Sequence, residues 1–307
     1  MAEVERLLVI GGTGFIGHHF LRAAVRKNWK VCSLSLHPAQ PKRHVAEVEY
    51  LAANLLDREE IHLRLRQRDF EYVVNFGGYI NHSLFSRGGR QLVEEHFTGV
   101  QNLIEVLPRN CLRAFVQIGS SDEYGDAPAP QSEDLRESPI SPYSLGKVAT
   151  THFLQMLHRT ESFPAVVLRL FLTYGPGQDH KRFLPQIIHG CLNNDNFPAS
   201  TGEQVRDFCY VEDVIRAILL ALENDSTRGE VFNIASGEKV TIRKMIETIQ
   251  QLIGGGKPEF GKIPYRASEN MCLYADTAKA NQIMGWSPQF PLELGLEHTI
   301  NWYRENG

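Results

Sequence analysis

The chain has 307 residues, of which 42% are hydrophobic and 22% charged, with a formal net charge of −4. That length supports a substantial core in one large or two modest domains, and the slight acidic excess argues against nucleic-acid or anionic-membrane binding. Five scattered cysteines with no CxxC pair argue against a disulfide frame or a zinc site, and no apolar run reaches membrane-spanning length. With the first strand starting at once, the sequence reads as a soluble cytoplasmic protein without a signal peptide.

Apolar runs at 6–11, 30–35, 47–51, 72–76, 114–119 and 165–171 alternate with amphipathic stretches, the rhythm of a parallel sheet wound by helices. The first run leads into Gly11-Gly12-Thr13-Gly14-Phe15-Ile16-Gly17. A turn free of side chains lets the backbone close on a dinucleotide pyrophosphate, and the helix behind it offers its free N–H groups to the phosphates. An ordinary strand-to-helix turn has a similar composition, so the motif gains its weight from those downstream. The runs at 72–76 and 114–119 end in Gly77-Gly78 and Ser120-Ser121, at the sheet edge where such folds bind ligands.

Ser120-Ser121-Asp122-Glu123 follows the fifth run. A hydroxyl here suits polarising a carbonyl, and Asp122 suits acid or base work at a neighbouring carbon. The same residues favour a capping turn, and Glu123 reads as facing solvent. A helix is predicted over 144–159. Tyr143 and Lys147 are four apart and share one helix face, where an ammonium group stabilises a phenolate. Such a tyrosine exchanges a proton with a sugar oxygen while hydride moves to or from a nicotinamide.

After Tyr174-Gly175-Pro176-Gly177 the rhythm changes. Helices are predicted at 183–193, 210–222 and 241–253 and a strand at 230–234. His180, Lys181 and Arg182 form a charged cluster at this junction, equally readable as a solvated patch. None of the twelve histidines has metal-ligand spacing, so no metal is expected.

These motifs resemble the extended short-chain dehydrogenase/reductases acting on nucleoside-diphosphate sugars (epimerases, dehydratases and 4-ketoreductases). Arg206-Asp207-Phe208-Cys209-Tyr210-Val211-Glu212-Asp213-Val214 resembles the family's RDFxYVxDV, and Val231-Phe232-Asn233-Ile234-Ala235-Ser236-Gly237 its (Y/F)NIGSG. The segment from Ala275-Asp276-Thr277 to Met284-Gly285-Trp286-Ser287-Pro288 is similar to its ADxxKAxxxLGWxP tail. The resemblance implies an α/β, doubly wound parallel-sheet Rossmann fold with a smaller C-terminal substrate-binding lobe. It places the dinucleotide domain at 1–174, with 207–236 returning to it, and the sugar-nucleotide lobe at 175–206 and 237–307.

Carried over by position, Gly11, Gly14, Phe15, Ile16 and Gly17 would hold the pyrophosphate, with Asn54 and Leu55 near the adenine. Ser120, Tyr143, Lys147 and Asp122 would form the catalytic set, with Tyr143 and Lys147 also touching the cofactor. Ser120, Ser121, Arg206 and Arg266 would contact the substrate, the two guanidinium forks clamping its diphosphate. Ser35 stands where NAD-preferring members carry an acid, and Lys42 and Arg43 follow, which points to NADP(H), with NAD(H) as the alternative. Leu172 and His96 replace asparagines common in the family.

Dehydratases of this resemblance carry Asp-Glu after the catalytic hydroxyl, whereas this chain has Ser121 and Asp122. The pattern is closer to reductases that convert a 4-keto-6-deoxy sugar nucleotide to its 4-hydroxy form, as in deoxysugar biosynthesis. A 4-epimerase or 4,6-dehydratase with recycled cofactor is the alternative, and a catalytically silent dinucleotide-binding protein the third reading. By analogy the helices near 91–107 and 144–159 would pair two copies as a homodimer.

Overall fold

A computed structural model describes residues 4–265 and 269–306. Seven strands form one parallel sheet: β1 (Arg6–Ile10), β2 (Lys30–Ser35), β3 (Val48–Ala52), β4 (Tyr72–Asn75), β5 (Ala114–Ser120), β6 (Ala165–Leu170) and, from much later in the chain, Val231–Ile234. From β1 the chain winds outward through β2 to β3, then crosses back to place β4, β5, β6 and the late strand on the other side. The switch point lies between β1 and β4, where the glycine turn and Gly77-Gly78 leave the sheet, and ligands bind at such a crevice.

Successive residues of β1 point to opposite faces. Leu7 and Val9 join the core formed with Phe20 and Leu21 of α1 (Phe15–Arg26), while Leu8 and Ile10 join the opposite core. That second face is covered by α2 (Arg58–Leu65), α4 (Gly99–Val106) and α5 (Pro142–Glu161), with α3 (Gly89–Val93) preceding α4 in the chain. The helix predicted at 91–107 is therefore two helices. A π turn over Glu94–Thr98 separates them and carries the buried His96, and such turns recur at functional sites.

Beyond Leu170 the chain leaves the sheet as β7 (Leu172–Tyr174), so β6 ends one residue short of the run at 165–171. It continues through α6 (Phe183–Leu192), β8 (Asn196–Ala199), β9 (Val205–Arg206), β10 (Phe208–Tyr210) and α7 (Val211–Glu223). The late strand Val231–Ile234 is β11, followed by β12 (Val240–Thr241), α8 (Ile242–Ile253), β13 (Lys257–Phe260), β14 (Cys272–Leu273), α9 (Ala278–Met284) and α10 (Leu292–Asn306). Short pairings of β7 with β10, β8 with β13, and β9 with β12 and β14 build the smaller part beside the sheet.

Asp207 joins these segments. Its buried carboxylate accepts from Ser236 N at 2.7 Å, Gly237 N at 2.9 Å and Ala275 N at 3.3 Å. Three distant motifs thus converge on one acid, which explains their residue types. No helix among the described residues is long and apolar enough to cross a membrane.

Candidate active site

At the mouth of β1, Gly11 adopts a positive φ of 76°, a backbone state that favours glycine. Gly17 is required for a different reason: a Cβ there would lie 2.4 Å from the Gly11 carbonyl oxygen. The helix therefore packs directly on the turn. α1 starts after Gly14 with no side-chain cap and no acid in its first turn, so no side chain occupies the N–H groups around Phe15 and Ile16. At the end of β2, the buried hydroxyls of Ser33 and Ser35 lack hydrogen-bond partners. An uncapped helix start, a turn without side chains and an orphaned Ser35 hydroxyl fit a dinucleotide's phosphates and ribose.

The remaining cofactor-side residues are partly engaged already. Asn54 Oδ1 accepts from Leu56 N at 3.0 Å, and the Leu55 carbonyl accepts from Asn102 at 2.9 Å. Arg43 donates to Thr13 O at 3.2 Å and to Gly177 O at 3.0 Å, bridging the glycine turn and the loop after β7. Lys42 is exposed. Among the described residues there is no group of three or more ligands that could hold a metal ion.

The candidate catalytic residues are positioned by two caps. Ser141 caps α5 and Pro142 takes its first position, which sets Tyr143 in the first turn and Lys147 one turn on. Ser120 ends β5 and caps the short turn Ser121–Tyr124, its Oγ accepting from Asp122 N at 3.2 Å. The Ser120 side chain lies close enough to the Tyr143 phenol to favour its ionised form. Lys147 donates to Ile118 O at 2.8 Å, with Nζ 5.9 Å from the centre of the Tyr143 ring. The structure thus brings Ser120, Tyr143, Lys147 and Asp122 together at the end of β5.

Electrostatics here departs from expectation in one respect. Burial, then the Asp122 charge, pushes the Tyr143 phenol upward, while Ser120 and the more distant Arg182 pull it down. Lys147 is not among the groups that lower it. Burial lowers the Lys147 ammonium itself to about 8. In the chain alone, desolvation outweighs the cation.

Asp122 is half-buried and its carboxyl is pushed up by burial, with His82 and Arg206 pulling it back. Ser121 is buried beside it. Arg206 is held by Glu269 and donates to Val205 O at 2.9 Å, so its guanidinium is fixed near the Asp122 end of the cleft. Arg266 lies outside the described residues. Leu172, in the place of an expected asparagine, is 39% exposed on β7.

His82 escapes the sequence reading, His96 enters it only as a replaced asparagine, and Glu123 reads there as facing solvent. His82 lies in the loop after β4, its ring edge-on to Tyr143 at 5.8 Å and its Nε2 3.8 Å from Asp122 Oδ2. His96 is packed against Tyr143 at 4.9 Å and 84°, and burial, with Lys147 nearby, lowers it to about 3. Its sequence signal is the pair Gly78 and Gly146, where added Cβ atoms would meet His96 at 2.2 and 2.9 Å. Glu123 does not face solvent. It is fully buried, accepting from Ser120 N at 2.9 Å, Thr151 Oγ1 at 2.8 Å and Arg169 Nε at 2.9 Å.

A sequence model of the NAD dependent epimerase/dehydratase family matches residues 7–235. A dTDP-glucose 4,6-dehydratase of Streptomyces niveus is 28% identical, over 98% of this chain and 93% of its own. A putative UDP-glucose 4-epimerase of Methanocaldococcus jannaschii is 27% identical, over 98% and 99%. The crystal structure of a Thermotoga maritima UDP-glucose 4-epimerase with UDP-glucose superposes with a TM-score of 0.88 at 26% identity, covering 98% of this chain and 99% of that one.

Proposed function

The chain belongs to the NAD dependent epimerase/dehydratase family, and from that premise we propose that it oxidises or reduces C4 of a nucleoside-diphosphate sugar with Tyr143 as general acid/base. The observation that carries this is the placement of Tyr143 beside Ser120 at the end of β5, with Lys147 one helical turn away and bonded to Ile118 O. A nicotinamide dinucleotide, when bound, supplies and accepts the hydride. The residues themselves handle the proton and the placement. Tyr143 gives its proton to the C4 oxygen or takes one from it, Ser120 fixes that oxygen, and Lys147 holds the helix face against Ile118 while lending positive charge. Arg206, with Arg266, would hold the diphosphate.

The finer reading is net reduction of a 4-keto-6-deoxy hexose, a step of deoxysugar biosynthesis. It rests on Ser121, a neutral residue where a dehydratase of this kind would need a carboxylate, and on Ser35 with Lys42 and Arg43, which admit NADP(H). Internal redox with recycled NAD, as in an epimerase or 4,6-dehydratase, is the second reading. It is supported by the activities of the Streptomyces niveus and Methanocaldococcus jannaschii relatives and by the His82–Asp122 pair, two proton-transfer groups at one cleft. A silent dinucleotide-binding role leaves the Tyr143–Ser120 pair without a purpose.

The test is to mix purified protein with NADPH or NADH and 4-keto-6-deoxy sugar nucleotides of several bases. Loss of reduced-nicotinamide absorbance supports the reductase. No loss, with cofactor released on denaturation, transfers the case to the recycling reading. Leu145 and Met156, exposed on α5, support pairing of two copies across the helices of 91–107 and 144–159. The absence of any disulfide among five cysteines suits a reducing compartment such as the cytoplasm.

A further inference from the structure

A groove of about 970 Å³ opens on the side of α1 away from the sheet, walled by α7, the 176–180 loop and the C-terminal end of α10. α1 sends Phe20, Leu21 and Ala24 into the core and turns His18, His19, Arg22 and Arg26 to this groove. The glycine turn Gly11–Gly14, Ser35, Asn54 and Leu55 are not part of its lining, which shares Phe15, Lys42 and Arg43 with the residues assigned to the cofactor.

Its chemistry is one-sided. The lining bases are Arg22, Arg26, Lys27, Lys42, Arg43 and Arg216, against the carboxylates Asp179 and Glu212. Lys27 is matched by Glu223 at 2.6 Å and Arg216 by Asp213 at 2.8 Å, both from outside the lining. Arg22, Arg26 and Lys42 have no such ion pair among the described residues. The excess charge is felt locally: His19 is lowered to about 4, chiefly by burial, with Arg22 and Arg43 adding to it.

Two buried polar atoms in the lining lack any hydrogen bond, the Arg216 Nε donor and the Gln178 Oε1 acceptor. Neither is free to rotate away. Arg216 is anchored through its NH2 to Asp213 and the Ser287 carbonyl, and Gln178 through its Nε2 to Thr173 O at 3.0 Å. Groups left unsatisfied in a fixed orientation mark a place for a ligand that supplies both an acceptor and a donor. Phe15, Phe290 and Trp302 add aromatic surface to the same lining.

We infer that this groove is a second nucleotide site, beside the cofactor cradle, which takes a nucleoside polyphosphate with its phosphates on Arg22 and Arg26 and its base against Trp302. Phosphate oxygens accept from the guanidinium forks, and a base or sugar hydroxyl donates to Gln178. Because Arg43 forms part of the wall while bridging Thr13 and Gly177, occupancy bears on the glycine turn, and by linkage the nucleotide and the dinucleotide alter each other's affinity.

The experiment titrates ATP into protein saturated with NAD. One further site per chain is expected, weakened about tenfold or more by the double variant Arg22→Gln/Arg26→Gln through loss of charge-assisted bonds. Both arginines are exposed on α1, so folding is not at stake. Arg206→Gln, on the candidate substrate cleft, should leave it unchanged. ATP should also quench tryptophan fluorescence, and Trp302→Phe should remove that quenching. The inference is overturned if NAD abolishes ATP binding, if the double variant binds as well as the parent, or if Arg206→Gln removes the site.

Discussion

His82 Nε2 lies 3.8 Å from the Asp122 carboxylate, although the two residues come from different loops. The loop after β4 is shaped by Asn81, whose side chain accepts from Ser83 N at 2.8 Å and sets the loop's course beside Tyr143. Burial pushes the Asp122 carboxyl up and His82 opposes that push. Replacing His82 by Gln removes the opposition, so Asp122 should ionise only at higher pH. The acid limb of kcat/KM is expected to move upward, with turnover falling about tenfold if Asp122 acts as a base. Asp122→Asn should erase the limb altogether. An unchanged profile in His82→Gln would show that the two groups do not communicate.

Tyr143→Phe removes the one hydroxyl placed to exchange a proton beside Ser120. Turnover should fall by roughly 10²–10⁴, the usual worth of a positioned acid or base. Dinucleotide affinity, measured by titration of the nicotinamide, should change little, because the glycine turn and α1 are untouched. Ser120→Ala should cost less turnover than Tyr143→Phe. A Tyr143→Phe enzyme with near-parental turnover would end the assignment of that phenol.

Lys147 is a group whose ordinary value of 10.5 is lowered to about 8 by burial. Between those values the unfolded chain holds more protons than the folded one, so stability rises with pH through this window. At and below neutral pH the full desolvation cost is present. Lys147→Met lifts that cost and loses the bond to Ile118 O, a net gain on the order of 2 kcal/mol. The expected result is a Tm at or above the parent's at neutral pH together with severe loss of turnover. A Tm several degrees lower would mean that the lysine stabilises the fold instead.

How much of this could be read from the chain depends on whether the cause is local. The glycine turn, the Tyr143–Lys147 spacing and the alternation of strands and helices were legible, because backbone geometry and periodicity write themselves into neighbouring residues. His82 was not, and His96 was legible only as a departure from a family asparagine. Their proximity to Tyr143 is created by a loop course and a π turn, with no spacing rule to announce either. Glu123 was misread for the same reason. Its ion-pair partner is 46 residues away on β6, and a carboxylate without its partner looks like surface.

That buried pair supports the last expectation. Glu123 and Arg169 are 0% and 1% exposed, and the carboxylate also receives Ser120 N, so it fixes the end of β5 that presents the Ser120 hydroxyl proposed to hold the substrate oxygen. Glu137 takes the other side of the guanidinium at 2.5 Å, while Arg169 NH1 has no partner. Glu123→Gln leaves a buried cation half-compensated and should cost about 3–5 kcal/mol in urea unfolding. Arg169→Met in the same chain removes the uncompensated charge, so the double variant should recover part of that loss. Turnover should remain low in both, because Ser120 no longer has its anchoring acceptor charge. A Glu123→Gln cost below about 1 kcal/mol would show that the pair is dispensable and that strand packing alone holds Ser120 in place.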